Sequence, residues 1–362
     1  MAETRNFNYP VNFNSGASLY GSELVGGLFA GRGKVFFVDP ANGSDTANSG
    51  RQPRNAYATL YKAHSAMTAG QNDICVLLGD GAATATARLS LALAVSVDSA
   101  ATTGTLTWSK NACHLVGLTA PTRNWQRARI APPSGTYTAS TFGSGTFINI
   151  TGNGCIFSNF SIFHGFSTGG TSQITVKLTA GQRNYFENVH FGGLADAEAA
   201  ADTASASVQL AGSSENTFKN CTFGLDTVNQ TAATQQVLIT SASARNFFEG
   251  CTWQSRLTGS GTAHLSVYAS GANSLDRNTY FRDCIFASSI GSSGSTQAAV
   301  AKITAASNGM FIMKDCMRVG VTDWGEDATS LAQIYVLGAA GVSATAGNVG
   351  DDIGRAMVAI AS

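Results

Sequence analysis

Apolar and polar residues alternate in short segments that recur at intervals of about thirty residues. Segments with apolar side chains two positions apart begin at residues 174, 206, 236, 264, 300 and 334, and they read ITVKL, ASVQL, QVLIT, HLSVY, VAKIT and IYVLG. A period of two is typical of a β-strand and differs from the 3.6-residue period of a helix. The pattern therefore predicts one strand of this kind in each repeat.

A second motif follows each of these segments. It reads RNYFENVHF from residue 183, ENTFKNCTF from 215, RNFFEGCTW from 245 and RNTYFRDCIF from 277. An asparagine opens each copy, at Asn153, Asn184, Asn216, Asn246, Asn278 and Asn308. An apolar position ends each core, at Phe160, Val189, Cys221, Cys251, Cys284 and Cys316. Each repeat is thus predicted to contain a strand, an asparagine turn, a second strand and a longer Ser/Thr/Gly/Ala loop.

Repeats of this size bury their apolar side chains by stacking on one another. Each strand then pairs in parallel with its copy in the next repeat, which predicts an all-β, single-stranded parallel β-helix. The asparagines are expected to form a turn column with left-handed backbone, Asn246 included, and to bond to the next coil through their amides.

The cysteines are expected to point into this stack. There are seven, at Cys75, Cys113, Cys155, Cys221, Cys251, Cys284 and Cys316, without a C-x-x-C pair or histidines at zinc spacing. We interpret them as packed free thiols, with reactive or metal-binding thiols as the alternative. A charged column precedes them, at Glu187, Lys219, Glu249, Arg282 and Lys314. Opposite charges on neighbouring strands give weak mutual support, and we prefer this interpretation to a catalytic one.

The two ends of the stack need covers. A helix over about 56–68 is predicted from one apolar stripe, made by Tyr57, Leu60, Tyr61, His64 and Met67. We expect it to cap the first coil, with His64 as a packed cap residue. The predicted organisation is an arm over 1–33, a β-helix over 34–320, and a last coil with a tail over 321–362. The tail carries Met357, Val358 and Ile360, which suggests docking on its own stack or on another subunit.

Charged residues make up only 12% of the chain, and the net charge is zero, with 22 basic and 22 acidic residues. No Lys/Arg cluster is present to bind phosphates, so we expect no nucleic-acid partner. No apolar run reaches the roughly 18 residues of a membrane span, and the N-terminus lacks the pattern of a signal peptide. We therefore expect folding in a reducing cytoplasm and no membrane partner.

The segment FFVDPANGSDTANSGRQPRNAYATLYKA, from residue 36, resembles the opening of right-handed parallel β-helix proteins of the pectate-lyase-like superfamily, especially virion proteins of tailed bacteriophages. The segments at 111–133 and 147–165 fit the same pattern, and the resemblance covers about 35–320. It implies a right-handed β-helix. It implies less about function, because the fold hosts lyases, hydrolases and structural proteins.

Glycan-cleaving sites need carboxylates about 5–10 Å apart in a groove. Three groups were considered: Asp39 and Asp45; Asp196, Glu198 and Asp202; and Asp323, Glu326 and Asp327 beside Trp324. A turn explains the first group better than calcium binding does, and a short solvated helix explains the second. The third could bind sugar. The five histidines, His64, His114, His164, His190 and His264, match no metal motif. We assign no catalytic, cofactor or metal site, and expect no cofactor.

Two classes of function remain. The first is a structural virion protein, most simply a capsid decoration or cement protein on the capsid surface, assembled in the host cytoplasm as a homotrimer with the major capsid protein as partner. The second is a tailspike or short fibre that binds or cleaves host polysaccharide. The second is disfavoured because only about 33 residues precede the fold and about 40 follow it. A free-living polysaccharide lyase ranks third.

Overall fold

The computed structural model describes residues 33–79, 105–131, 146–164, 173–194, 200, 205–258, 263–290, 296–304, 308–338, 340–342 and 349–350. Residues 1–32 of the expected arm and the tail residues Met357, Val358 and Ile360 lie outside this part of the chain. The predicted parallel β-helix is confirmed.

Three sheets run along the stack, and their strands pair in parallel except β27 with β28. Sheet 1 contains β1 (Val35–Val38), β2 (Asp73–Leu78), β4 (Cys113–Leu118), β7 (Ile156–Ser158), β10 (Tyr185–Glu187), β13 (Thr217–Lys219), β17 (Phe247–Glu249), β20 (Thr279–Arg282), β23 (Phe311–Lys314) and β26 (Ile334–Leu337). Sheet 2 contains β5 (Arg129–Ile130), β8 (Ser161–His164), β11 (His190–Leu194), β14 (Thr222–Phe223), β15 (Asn229–Gln230), β18 (Thr252–Leu257), β21 (Ile285–Ile290), β24 (Met317–Val319), β27 (Ala340–Val342) and β28 (Val349–Gly350). Sheet 3 contains β3 (Leu106–Trp108), β6 (Thr146–Ile150), β9 (Ile174–Thr179), β12 (Ala206–Ala211), β16 (Gln235–Thr240), β19 (Leu265–Ala269), β22 (Gln297–Ile303) and β25 (Val321–Gly325).

Each complete coil has three strands, so the prediction of two strands per repeat is wrong. One residue with positive φ separates a sheet 1 strand from the sheet 2 strand that follows, and the two short strands look continuous in the sequence. This residue is Asn188, Asn220, Gly250, Asp283 or Asp315 in successive coils. The segment IYVLG is also misplaced by the prediction, because it forms β26 of sheet 1, and β25 is the strand that extends sheet 3.

The asparagine column has a different role from the one predicted. Asn184, Asn216 and Asn246 do not have positive φ, and the residue before each of them does: Arg183, Glu215 and Arg245. The expected amide bonding between coils is confirmed. The Oδ1 of Asn246 accepts a hydrogen bond from the backbone N–H of Asn216 at 3.1 Å, and its Nδ2 donates to the carbonyl of Ser213 at 2.9 Å.

Aromatic rings fill the interior in two columns. In sheet 1, neighbouring rings lie 4.6–4.9 Å apart along Phe157, Phe186, Phe218, Phe248 and Phe281. In sheet 2, neighbouring rings lie 4.6–5.2 Å apart along Phe191, Phe223, Trp253 and Phe286. The spacing follows the distance between parallel strands, so in-register pairing itself stacks the rings.

A short helix, α1 (Leu60–Ala66), covers the first coil after a 3-10 turn at Pro53–Asn55, and it is shorter than the predicted 56–68. Thr59 accepts the N–H of Lys62 at the start of α1, and the Nζ of Lys110 donates to the carbonyls of His64 and Met67 at its end. Tyr61 departs from the predicted stripe, because its side chain points outward and is 45% exposed.

Near the other end, a four-residue helix, α2 (Ala328–Leu331), packs beside β25.

Candidate functional site

The seven cysteines are buried and free, as predicted. Their thiols point into the apolar core, and in the later coils they donate to backbone carbonyls: Cys251 Sγ lies 3.3 Å from the carbonyl oxygen of Phe218. Burial raises the pKa of the thiols of Cys251 and Cys284 well above the usual value. A nucleophilic or metal-binding cysteine needs the opposite shift, so Cys251 and Cys284 fit a packing role.

Four histidines are buried and held in the neutral form. Burial lowers the pKa of His64, His114 and His190 to about 4 and that of His264 to about 3. His64 packs on Trp108 with the ring centroids 4.7 Å apart, in agreement with a cap residue. The fifth, His164, lies on β8, and its side chain is outside the description. No group of three His, Cys, Asp or Glu among the described residues has the arrangement of a metal site.

Asp39 and Asp45 organise the loop before α1, as the turn interpretation predicts. Asp39 Oδ1 accepts the backbone N–H groups of Ala41 and Asn42 at 3.0 and 3.1 Å. Asp45 is buried and accepts from the backbone of Ala58 and from the hydroxyl of Thr59. The candidates Asp196, Glu198 and Asp202 lie outside the described residues.

The carboxylates near Trp324 each form a hydrogen bond or an ion pair with neighbouring residues. Asp327 caps α2 by accepting the N–H of Ser330 at 2.7 Å, and this bond lowers the pKa of its carboxyl. Glu326 pairs with Lys302, and Asp323 accepts the N–H of Trp324. Trp324 is buried with its ring against Phe286, so the sugar platform considered for this cluster is not formed.

The charged column lies on paired strands of sheet 1, as predicted. The registers join Glu187 to Lys219, Lys219 to Glu249, and Glu249 to Arg282. Arg282 forms an ion pair with Glu249. Ion pairs between exposed side chains contribute little to stability, because water and salt screen them. These side chains follow one another along the face of sheet 1. They support pairing between neighbouring coils and do not surround a cleft.

A polar loop crosses the outer face of sheet 2 at residues 119–128, and it carries an exposed tryptophan. Trp125 is 40% exposed and has a φ of 59°, which is rare for a bulky residue. Its backbone N–H donates to Nδ1 of His190 at 3.2 Å. Its ring stacks on Phe163 with the centroids 5.1 Å apart.

A buried arginine packs against the indole of Trp125 and binds its backbone. The guanidinium of Arg129 lies 5.7 Å from the Trp125 ring and donates to the carbonyls of Trp125 and Gln126. Arg123 anchors the preceding turn, because its Nη2 donates to the carbonyl of Gly250 at 2.5 Å. The result is a partly exposed aromatic side chain, held by packing and backbone hydrogen bonds among polar groups, on which a sugar ring could stack. The sequence analysis did not single out Trp125. An aromatic residue among arginines in NWQRAR was the available signal, whereas the positive φ was not predictable.

The outer face of sheet 3 presents no pair of carboxylates along its central column. Registered positions there are Asn149, Lys177, Gln209, Leu238, Tyr268 and Lys302. Lys302 lies over the ring of Tyr268 at 6.0 Å and is paired with Glu326. Within the described part of the sheet, this column therefore lacks the two carboxylates that glycoside hydrolysis commonly uses.

Comparison with solved structures identifies the fold. A pectin methylesterase in complex with a hexasaccharide matches with a TM-score of 0.52 at 14% sequence identity, over 90% of this chain and 95% of that one. The pectin methylesterase PemA from Erwinia chrysanthemi matches with a TM-score of 0.50 at 14% identity, over 91% and 95% of the two chains. The chain is a right-handed parallel β-helix. At this level of identity, the likeness concerns the fold and not the activity.

Two phage proteins share a weaker likeness. ORF18 of Geobacillus virus E2 matches with a TM-score of 0.39 at 8% identity, over 79% of this chain and 58% of that one. The tailspike gp49 of Acinetobacter baumannii bacteriophage Fri1, a capsular polysaccharide depolymerase, matches with a TM-score of 0.29 at 12% identity, over 68% and 47%. Both likenesses are too slight to bear on function. No family model matches the chain. No curated protein matches it either.

Among the described residues, no helix is long and apolar enough to span a membrane.

Proposed function

We propose that the chain is a structural component of a tailed-phage virion, bound to the capsid surface as a decoration or cement protein. In this role, homotrimers bridge neighbouring capsomers of the major capsid protein through the terminal arms. The resemblance of the opening segment to phage β-helix virion proteins supports this role.

One observation carries the proposal: the candidate groups for chemistry that the structure describes are used to build the fold. Asp45 and Asp327 accept hydrogen bonds from local structure, and the thiols are packed. The four histidines whose side chains are described are buried, and burial lowers the pKa of each. Catalytic sites instead gather partly desolvated groups with matched pKa values around a cleft. A stack whose ionisable groups stabilise its own coils is suited to a structural role.

The test is to locate the protein on the particle and to remove its arm. Cryo-electron microscopy of intact virions should show it on the head, and light scattering of the purified protein should give a trimer. Deletion of residues 1–33 should abolish binding to particles while the thermal unfolding transition is unchanged. A position at the tail tip would contradict the proposal, and so would a protein that stays monomeric on the virion.

A tailspike or fibre that binds host polysaccharide is the second candidate, and Trp125 is the observation that favours it. An exposed indole on a fixed backbone presents a flat apolar face to a sugar ring, and Arg123 and Asn124 beside it are exposed polar partners.

To test this candidate, host surface polysaccharide is titrated while intrinsic fluorescence is followed. Trp125→Ala should weaken binding at least tenfold, and Tyr61→Ala, which removes a similarly exposed ring on α1, should not. If the polysaccharide is shortened, the protein is an enzyme and the cement role fails. If neither binding nor shortening occurs, this second candidate fails.

A further inference from the structure

An exposed apolar patch lies on the outer face of sheet 2 near the C-terminal end of the stack. It consists of Ile285, Met317 and Val319, whose side chains are 38%, 40% and 37% exposed. Ile285 and Met317 are paired positions on neighbouring strands, and Val319 lies two residues further along the same face. We call these three residues the C-terminal patch.

The patch breaks the usual pattern of this sheet. Earlier outward positions in register with Ile285 are Thr252 and Thr222, which are polar, and Thr222 is covered by the loop that carries Arg123. Among the side chains of this column that the structure describes, large apolar and exposed ones occur in β21 and β24. Contiguous apolar side chains on an outer face are typical of a surface that another segment covers.

The described part of the chain ends near this patch. Strand β27 pairs in parallel with β24, so that Gly341 lies next to Arg318. Strand β28 then reverses and pairs antiparallel with β27, with Gly350 opposite Gly341. Gly350, the last described residue, therefore lies about 14 Å from β21, at three strand spacings.

The last twelve residues can reach the patch and have the composition to cover it. An extended segment of that length spans up to about 40 Å. Residues 351–362 read DDIGRAMVAIAS, with Val358 and Ile360 two apart and so on one face of an extended segment. Being on the same chain raises their effective concentration far above that of a second molecule.

We infer that residues 351–362 dock on the C-terminal patch of their own chain, with Val358 and Ile360 against Met317 and Val319. The docked segment covers an apolar face that would otherwise favour association of stacks side by side. This inference does not depend on the virion role. Within that role, it assigns the bridging of capsomers to the N-terminal arm instead of to both terminal arms.

Cross-linking tests the docking and its partner directly. The full chain carries Val319→Cys together with Val358→Cys; the native thiols are buried, so the introduced pair is the reactive one. Mild oxidation should give an intrachain disulfide, seen as a faster monomer band on a non-reducing gel. Tyr61→Cys with Val358→Cys is the control, because Tyr61 is similarly exposed but lies near the N-terminal end. A dimer band would overturn the inference in favour of docking on a second copy, and the absence of any cross-link would overturn docking itself.

Limited proteolysis gives an independent measurement without new thiols. Trypsin cleaves after Arg355, and docking should slow this cleavage. Met317→Asp should speed the cleavage at least fivefold, with circular dichroism confirming that the β-helix stays folded. Leu337→Asp is the matched control, since Leu337 is 44% exposed on sheet 1, outside the patch, and should leave the rate unchanged. Equal rates in the wild-type and Met317→Asp proteins would overturn the inference.

Discussion

Each coil contains two kinds of turn residue, and their roles differ. Between sheets 3 and 1, a buried asparagine supplies hydrogen bonds that the bent backbone cannot make within its own coil: Asn216 Oδ1 accepts the N–H of Asn184 at 3.0 Å, and its Nδ2 donates to the carbonyl of Gly181 at 3.1 Å. Between sheets 1 and 2, Asn220 has a φ of 52° and sets the bend itself. Removing the first kind leaves buried polar groups unpaired. Removing the second loses a residue that tolerates positive φ and one exposed hydrogen bond, which Asn220 Oδ1 accepts from Nη2 of Arg123.

Replacement of these residues should therefore have unequal effects. Asn246→Ala should lower the free energy of unfolding by about 1–3 kcal/mol, because the N–H of Asn216 and the carbonyl of Ser213 lose their buried partner. Asn220→Gly should cost less than about 1 kcal/mol, since glycine adopts positive φ readily. Urea unfolding of both variants is the measurement. Equal losses would show that the asparagine column acts through its backbone after all.

At the scale of the strand, stability comes from stacking identical side chains in register. Phe248 lies between Phe218 and Phe281, at 4.7 and 4.9 Å, and is fully buried. Its neighbour Phe247 points outward on the same strand and lies under the guanidinium of Arg282. Adjacent residues of the same type thus have opposite environments, because successive side chains of a strand alternate between its faces.

This pair gives a matched test of the strand assignment. Phe248→Ala should lower the free energy of unfolding by about 3–5 kcal/mol through the cavity it leaves in the column. Phe247→Ala should cost no more than about 1 kcal/mol, because it loses only partial burial and a cation–π contact. Chemical unfolding of each variant measures the loss in the free energy of unfolding. A larger loss at Phe247 would mean that β17 faces the other way.

The cysteine column makes a second prediction for the strands. Cys221, Cys251 and Cys284 should not react with a thiol reagent in the native protein, because burial removes access to each of them and raises the pKa of Cys251 and Cys284. Labelling followed by mass spectrometry should show modification only at the rate of global unfolding. Rapid native labelling at any of the three would contradict the inward assignment.

For the whole molecule, the buried histidines link stability to pH. Each has a folded-state pKa near 4 or below, against about 6.5 in the unfolded chain. Below about pH 6.5, the unfolded chain therefore binds protons that the folded chain does not. Stability is full above pH 6.5 and falls as the pH decreases towards 4, by up to about 1.4 kcal/mol per pH unit for each histidine.

The protein should consequently unfold in mild acid. The free energy of unfolding from urea titrations should drop steeply between pH 6.5 and 4. His264→Gln should reduce the slope by the share of one proton, because glutamine does not titrate and can still bond to Thr234, which lies 2.8 Å from His264 Nδ1. A stability that stays constant down to pH 4.5 would contradict the buried neutral state of these side chains.

The stack could be predicted from the amino-acid pattern alone. Repeats of about thirty residues, strand-like alternation and a recurring cysteine predicted a parallel β-helix, because each coil buries its apolar side chains only against the same positions in the next. Other features cannot be predicted from a single coil and are seen only in the three-dimensional structure. A single left-handed residue splits two strands that look continuous, IYVLG joins sheet 1, and Trp324 is buried while Trp125 is exposed. These outcomes depend on contacts between residues of different coils, such as Arg123 with Gly250, which no local pattern specifies.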